Sequence, residues 1–409
     1  MLSTTTAVPV RHARAAVAAV FLTNGALYAN VVPRFPQLKA DLELTNAALG
    51  AAIAAMPLGA LLAGLFAAAA IRRFRSARVA ALGIVLLAAA TVAIAFVPNV
   101  FALAAVLFVA GALDSVIDVA QNAHGLRVQR LYGRSIVNSF HGLWSVGAVL
   151  GGLMGSAAAG LSLSLGVHLG ISAVLFSAVA LVAYRFLLPG PDGAAASDAA
   201  LDSAASGEPS SAAAKGAWSA TAVRMLAVLG VLAACGALVE DAGASWGAIY
   251  LRDELTTGAA AAGLAFVALQ VAMTAGRLAG DRVVDRYGQR AVVRTGGLLA
   301  AGGMGLALAV PSLWTTLAGF ALAGLGVATL VPAAMHSADE LPGLPAGVGL
   351  TVVSWLLRVG FLLSPPLVGL VADLTSLRVG LLTVVAAGLI TAVAARVLVD
   401  RTPAPAPAT

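Results

Sequence analysis

Charge is what this sequence has least of. Only 10% of its 409 residues are Asp, Glu, Lys or Arg, where a soluble globular domain carries about a quarter. Hydrophobic residues make up 60% and the mean hydropathy is +0.97, which excludes a soluble enzyme of this length. Cysteine is nearly absent too. The single Cys235 lies in an apolar run, so an intrachain disulfide and soft-metal chemistry are both excluded. No long basic tract exists, although the net charge is +6; a nucleic-acid face would need those bases gathered on one surface. No phosphate-cradling Walker loop follows a strand, so the chain has no ATP site of its own. No nucleophile stands beside a base, and no set of His, Cys and acid has metal-ligand spacing. The chain is therefore expected to be no enzyme and to use no cofactor and no metal.

Long apolar runs are what remains. A spanning helix takes about 20 residues, and punctuation by charge, Pro and Gly marks twelve candidates. The first six lie near 14–33, 45–70, 79–97, 100–124, 135–159 and 166–188, and the second six near 222–250, 258–280, 291–310, 313–336, 346–371 and 378–398. Between the sixth and seventh lies Pro189 to Ser219, rich in Ala, Ser, Gly and Pro, which cannot build a core. The expected organisation is an all-α membrane protein with two pseudo-symmetric six-helix bundles, residues 1–188 and 220–400. A flexible cytoplasmic linker, 189–219, joins them, and a disordered tail, 401–409, follows.

Placing both termini on one side gives that side nineteen Lys and Arg residues and the other side four, Arg34, Lys39, Arg252 and Arg378. By the positive-inside rule both termini are cytoplasmic. Gly147, Gly151 and Gly155 in the fifth span and Gly276 and Gly280 in the eighth read as helix-packing seams.

The run from Gly276 to Arg290, with Asp285-Arg286-Tyr287-Gly288 at its centre, resembles the cytoplasmic loop signature of the major facilitator superfamily. Asp281 stands where that signature usually begins with glycine. The resemblance implies two bundles exchanging access about a central site, with the first, fourth, seventh and tenth spans lining it. It also implies a cytoplasmic gate formed by Asp281, Arg282, Asp285, Arg286 and Gly288. In the first half, Arg72-Arg73-Phe74-Arg75-Ser76 keeps the bases but has neither acid nor glycine. Asp114 to His124, Ser139 to Ser145 and Val239 to Tyr250 resemble a bacterial branch related to the fucose permease.

Four acids fall inside spans: Asp114, Asp118, Glu240 and Asp241. On insertion scales a charge at mid-bilayer costs about 2.5–3.5 kcal/mol, so these either line water or are held in structural pairs. Asp114, Asp118 and Asn122 are four apart and share one helix face. Two carboxylates one turn apart compete for ionisation, so one of them readily holds a proton. Glu240 and Asp241 point about 100° apart on their helix. Arg358, the only base deep in a span, is expected to pair with one of them. These five form the expected proton-coupling set. Asn24, Tyr28, Asn122, Asn138, His141, Trp144, Trp246 and Gln270 are the candidate solute-binding groups. His141 serves equally as hydrogen-bonding partner, proton relay or satisfied interhelical histidine. Trp246 serves equally as a stacking platform or an interface anchor.

Together these point to a secondary transporter, its expected partners being protons and a small polar organic solute such as a sugar. Proton-driven efflux of apolar or cationic compounds is the alternative, and a non-transporting receptor or structural protein is the alternative of another class. The expected setting is the lipid bilayer of a bacterial inner membrane, with the protein a monomer and no nucleic acid involved.

Overall fold

The structure is a computed structural model and describes residues 9–190, 192, 220–341, 344 and 347–398. The tail from 401 and most of the expected linker lie outside the described residues. Twelve helices among the described residues are long and apolar enough to cross a membrane. The fold is all-α, as the apolar runs require, because only helices and closed barrels satisfy the backbone in lipid.

The helices used below are α1 (Val10–Ala29), α2 (Phe35–Asp41), α3 (Asn46–Phe74), α4 (Ser76–Ala93), α5 (Val100–Tyr132), α6 (Val137–Gly160) and α7 (Leu165–Tyr184). They continue with α8 (Ala220–Ser245), α9 (Ala259–Tyr287), α10 (Gln289–Ala309), α11 (Leu313–Val327), α12 (Leu330–Asp339), α13 (Val348–Leu374) and α14 (Leu382–Ala394). Local chemistry sets several ends. Asn99 accepts from the Ala102 amide at the start of α5 and Ser164 from the Val167 amide at the start of α7. Ser312 and Thr315 cap α11 reciprocally, each satisfying an amide that the first helical turn leaves free.

The chain divides into two compact units, Met1–Arg34 with Ala55–Ala205, and Phe35–Ala54 with Ser206–Thr409. In the first, α1 lies against α6, and α4 against α5 and α7. The glycine seam is what brings α1 and α6 together. A Cβ on Gly147 would fall 2.0 Å from the Leu22 carbonyl oxygen, and one on Gly151 would fall 2.3 Å from that of Ala26. The core beside this seam holds Phe21 stacked on Phe140, with Leu27, Ile84 and Ile117.

The beginning of the expected linker is fastened to the first unit. Asp192 accepts from the Ser76 amide and the Ser76 hydroxyl, both at 2.6 Å, at the start of α4. His124 of α5 meets Ser76 Oγ through Nδ1 at 2.8 Å and accepts from the Leu188 amide through Nε2 at 3.1 Å. Because Nε2 accepts, the proton of this imidazole sits on Nδ1. Arg127 lies 3.5 Å from Asp192.

In the second unit α8 lies against α12, α13 and α14, while α11 lies between α9 and α10. Residues 35–54 belong here. Asp373 accepts from the amides of Asn46 and Ala47 at 2.9 and 2.8 Å, an anion at the positive end of α3. Lys39 pairs with Asp253 at 2.7 Å. Exposed apolar side chains such as Phe66, Phe101 and Leu374 suit contact with lipid. Trp314, 75% exposed, suits the membrane interface.

One backbone conformation occurs twice. Gly288, between α9 and α10, has φ 82° and ψ 150°, and Arg75, between α3 and α4, has φ 75° and ψ 144°. That region suits glycine alone and costs other residues about 1–3 kcal/mol. The first half thus keeps the turn of the second without its glycine. Arg75→Gly should stabilise the protein by about 1 kcal/mol, since the relief exceeds the roughly 0.5–1 kcal/mol that glycine costs in backbone entropy. A thermal unfolding midpoint in detergent no higher than that of the parent would count against the strain.

Candidate transport site

On the first unit, α1, α5 and α6 bring most of the expected polar residues into one hydrogen-bonded network. Asn24 is its hub. Its amide nitrogen donates to Asp114 Oδ1 at 2.7 Å, and its amide oxygen accepts from Trp144 Nε1 at 2.9 Å. Gln121 Nε2 reaches that same oxygen at 3.4 Å and donates to Asp118 Oδ1 at 3.1 Å. Asn122 Nδ2 also donates to Asp118 Oδ1, at 3.1 Å, and Asn122 Oδ1 lies 3.1 Å from His141 Nε2.

These positions follow from helix geometry. Asp114, Asp118 and Asn122 share the face that their spacing requires, and His141 and Trp144, three apart, share one on α6. The close approach of α1 to α6 lets Trp144 reach Asn24: a Cβ on Gly25 would lie 2.2 Å from the Trp144 carbonyl oxygen. The Phe21 ring holds His141 edge-on at 5.2 Å between centroids. Asn24 and Gln121 are buried, Asp114, Asn122 and Trp144 half-buried, and Asp118, Asn138 and His141 exposed. Asn138 stands exposed one turn before His141 and bonds to none of these groups. Tyr28 is half-buried one turn beyond Asn24. Neither Asp114 nor Asp118 has an ion-pair partner among the described residues.

Gln121 is the member that sequence reasoning missed. It stands three residues after Asp118, the other helical neighbour spacing, and that was the available signal.

On the second unit the two adjacent acids divide between neighbours. Gly243 and Gly247 face Leu269 and Ala265 of α9, and Glu240 on that side pairs with Arg277 of α9 at 3.4 Å. Asp241 turns toward α13. Ser245 donates to its Oδ1 at 2.8 Å, while Oδ2 and the hydroxyl of Ser364 on α13 are both buried without a hydrogen bond. The expected pairing of Arg358 with Glu240 or Asp241 is not made. Leu356 and Gly360 of α13 approach α8, and Ser364 continues their four-residue spacing. Arg358, two residues from Leu356 and from Gly360, is turned about 200° away from that face.

Trp246, expected as a stacking platform or an interface anchor, is buried. It is 0% exposed and packs against Gly369 of α13. Gln270 is likewise buried, on α9, with its Nε2 unbonded. Asp281, Arg282, Asp285 and Arg286 are all exposed at the end of α9, and among the described residues they form no ion pair with one another. Arg286 instead lies over the Tyr287 ring at 5.4 Å. Gly288 makes the turn described above. Among the described residues no group of three or more His, Cys, Asp or Glu could hold a metal.

Comparison with known proteins agrees with this architecture. The sequence profile of the Major Facilitator Superfamily matches residues 229–409. Membrane protein MosC of Rhizobium meliloti is 33% identical over 376 residues, covering 91% of this chain and 86% of that protein. An uncharacterized transporter of Sinorhizobium fredii, y4wD, is 28% identical over 88% of this chain and 92% of its own. Among solved structures, the D323A mutant of the nucleoside transporter NupG superposes with a TM-score of 0.73 at 14% identity, covering 94% of this chain and 98% of that one. A bacterial homolog of the human lysosomal transporter Spinster, inward-facing and occupied, gives 0.69 at 16% identity, with 94% and 95% covered. The family and fold matches are to transporters and not to enzymes. With twelve spanning helices and a relative one-third identical along nearly its whole length, the chain belongs to the major facilitator superfamily of membrane transporters.

Proposed function

We propose that this protein is a proton-coupled secondary transporter that moves a small polar organic solute by alternating access. The observation that carries the reading is the Asn24-centred network, in which Asp114 and Asp118 lie within spans among amides and an imidazole. Carboxylates inside a span, with no base beside them among the described residues, mark solute pathways and proton relays. The exposed side chains of Asp118, Asn138 and His141 give a solute polar contacts on the same face. On the second unit Asp241, buried beside Ser245 and Ser364, has no base beside it among the described residues, whereas Glu240 is paired with Arg277. NupG, described as a nucleoside transporter, is an instance of this fold serving a polar solute. Bacterial relatives and the distribution of bases favour an inner-membrane protein with both termini cytoplasmic.

Reconstitution into vesicles tests this. An imposed pH gradient should drive accumulation of a carried solute, and Asp118→Asn should reduce the driven component by about tenfold or more, leaving slow equilibration. Accumulation indifferent to the gradient in the parent protein would remove the proton from the mechanism. Driven flux unchanged in Asp118→Asn would remove that carboxylate from it.

A further inference from the structure

The hydrogen-bond polarity of the network is fixed from its ends. With Asp118 ionised, Gln121 and Asn122 must turn their amide nitrogens toward it. Asn122 therefore shows its oxygen to His141, and His141 Nε2 must carry a hydrogen. Trp144 can only donate, so Asn24 shows it an oxygen and gives its nitrogen to Asp114. These assignments follow from the donor and acceptor capacity of each group.

Almost every donor is thereby consumed inside the network, and the valences left over are acceptors. Asp114 Oδ2, Asp118 Oδ2 and, in the neutral ring, His141 Nδ1 form no hydrogen bond among the described residues. The fourth is Gln121 Oε1, an oxygen on a side chain 1% exposed that is buried with no partner among the described residues. A buried acceptor without a donor costs about 1–3 kcal/mol. Together these four open acceptors call for donors that the chain does not supply. Trp144, half-buried at the edge of the network, carries the π-face that attracts a cation. A Cβ on Gly142, between His141 and Trp144 in sequence, would meet nothing within 4 Å, so this stretch of α6 leaves room.

We propose that this face recognises a hydroxyl-bearing organic amine in its ammonium form: a solute rich in donors, which places N–H and O–H groups on the exposed Asp118 and His141. The proposal rests on the transport reading and names its substrate class. A neutral sugar would satisfy the acceptors with hydroxyls but leave the ionised Asp118 without a counter-charge. A sugar acid would meet acceptors and negative charge with more of the same, and is rejected.

Binding to the purified full-length protein tests the chemistry apart from transport. Glucosamine, glucose and glucuronate, at matched concentrations in neutral buffer, are compared by thermal unfolding in detergent and by equilibrium binding. Glucosamine should raise the unfolding midpoint, glucose should do so less, and glucuronate should not. Asp118→Asn should weaken glucosamine binding by about tenfold or more, while Asp118→Glu should retain most of it. Glucuronate binding as tightly as glucosamine overturns the proposal, and so does unaltered glucosamine binding in Asp118→Asn. Absence of binding by glucosamine, up to its solubility, also overturns it, and that result needs no variant to fold. Flux in vesicles separates the two readings. Vesicles that carry neutral or acidic sugars in preference leave the transport reading standing and this inference refuted. Glucosamine bound by the protein but never carried leaves this inference standing and refutes the transport reading.

Discussion

Asn24→Asp should lower solute flux by roughly a hundredfold at neutral pH and recover part of it on acidification. The substitution is close to isosteric, so the seam between α1 and α6 keeps its shape. What changes is polarity: the amide nitrogen that donates to Asp114 at 2.7 Å becomes a second carboxylate oxygen. Loss of that charge-assisted bond, with repulsion added, is worth about 3 kcal/mol, which is about two decades in rate. Lowering the pH protonates one of the facing carboxyls, and an O–H then donates where the N–H did. The sign is therefore opposite to that of general acid inactivation. Initial rates of uptake in vesicles between neutral and mildly acidic pH, normalised to the parent protein at each pH, provide the check. A normalised rate that falls or stays flat on acidification would show that Asn24 acts by something other than donation to Asp114.

The second large effect is on folding. Gly147→Ala adds one methyl group, and its Cβ would sit 2.0 Å from the Leu22 carbonyl oxygen of α1. Backbone cannot swing aside as a side chain can, so α1 and α6 must separate, and overpacking of this kind costs about 3 kcal/mol or more. The variant should lose its monodisperse peak in detergent or unfold well below the parent. Gly142→Ala, on the same helix and in open space, is the matched control and should unfold within about 0.5 kcal/mol of the parent. Equal unfolding midpoints for the two variants would mean that the seam is less tight than its geometry requires.

Much of this was legible in the chain before any coordinates. The apolar runs marked all twelve spans, because lipid leaves the backbone few alternatives. The four-residue spacing of Asp114, Asp118 and Asn122 placed them on one face, because the helical period fixes that angle. Phase between helices was not legible. Arg358 was matched with the α8 acids because it was the one base deep in a span. Its rotation on α13 turns it from α8, and Arg277, assigned to the cytoplasmic end of its span, reaches Glu240 instead. Trp246 reads equally as a stacking platform or an interface anchor, and its burial against the bare backbone of Gly369 follows from helix phase that the sequence does not show. Asp373 gave no signal, since a carboxylate that caps a helix more than 300 residues away in sequence carries no local pattern. Gln121 was hidden among more conspicuous neighbours.

The grip of Asp192 on Ser76 has a practical corollary for how the chain can be cut. Within the expected linker, Asp192 is held by Ser76 and lies beside Arg127, and Leu188 just before it is held by His124. A protease site or a fluorescent tag spliced in upstream of Asp192 would pull out an anchor of the first half. Spliced in downstream, the same insert would find that half already tied off.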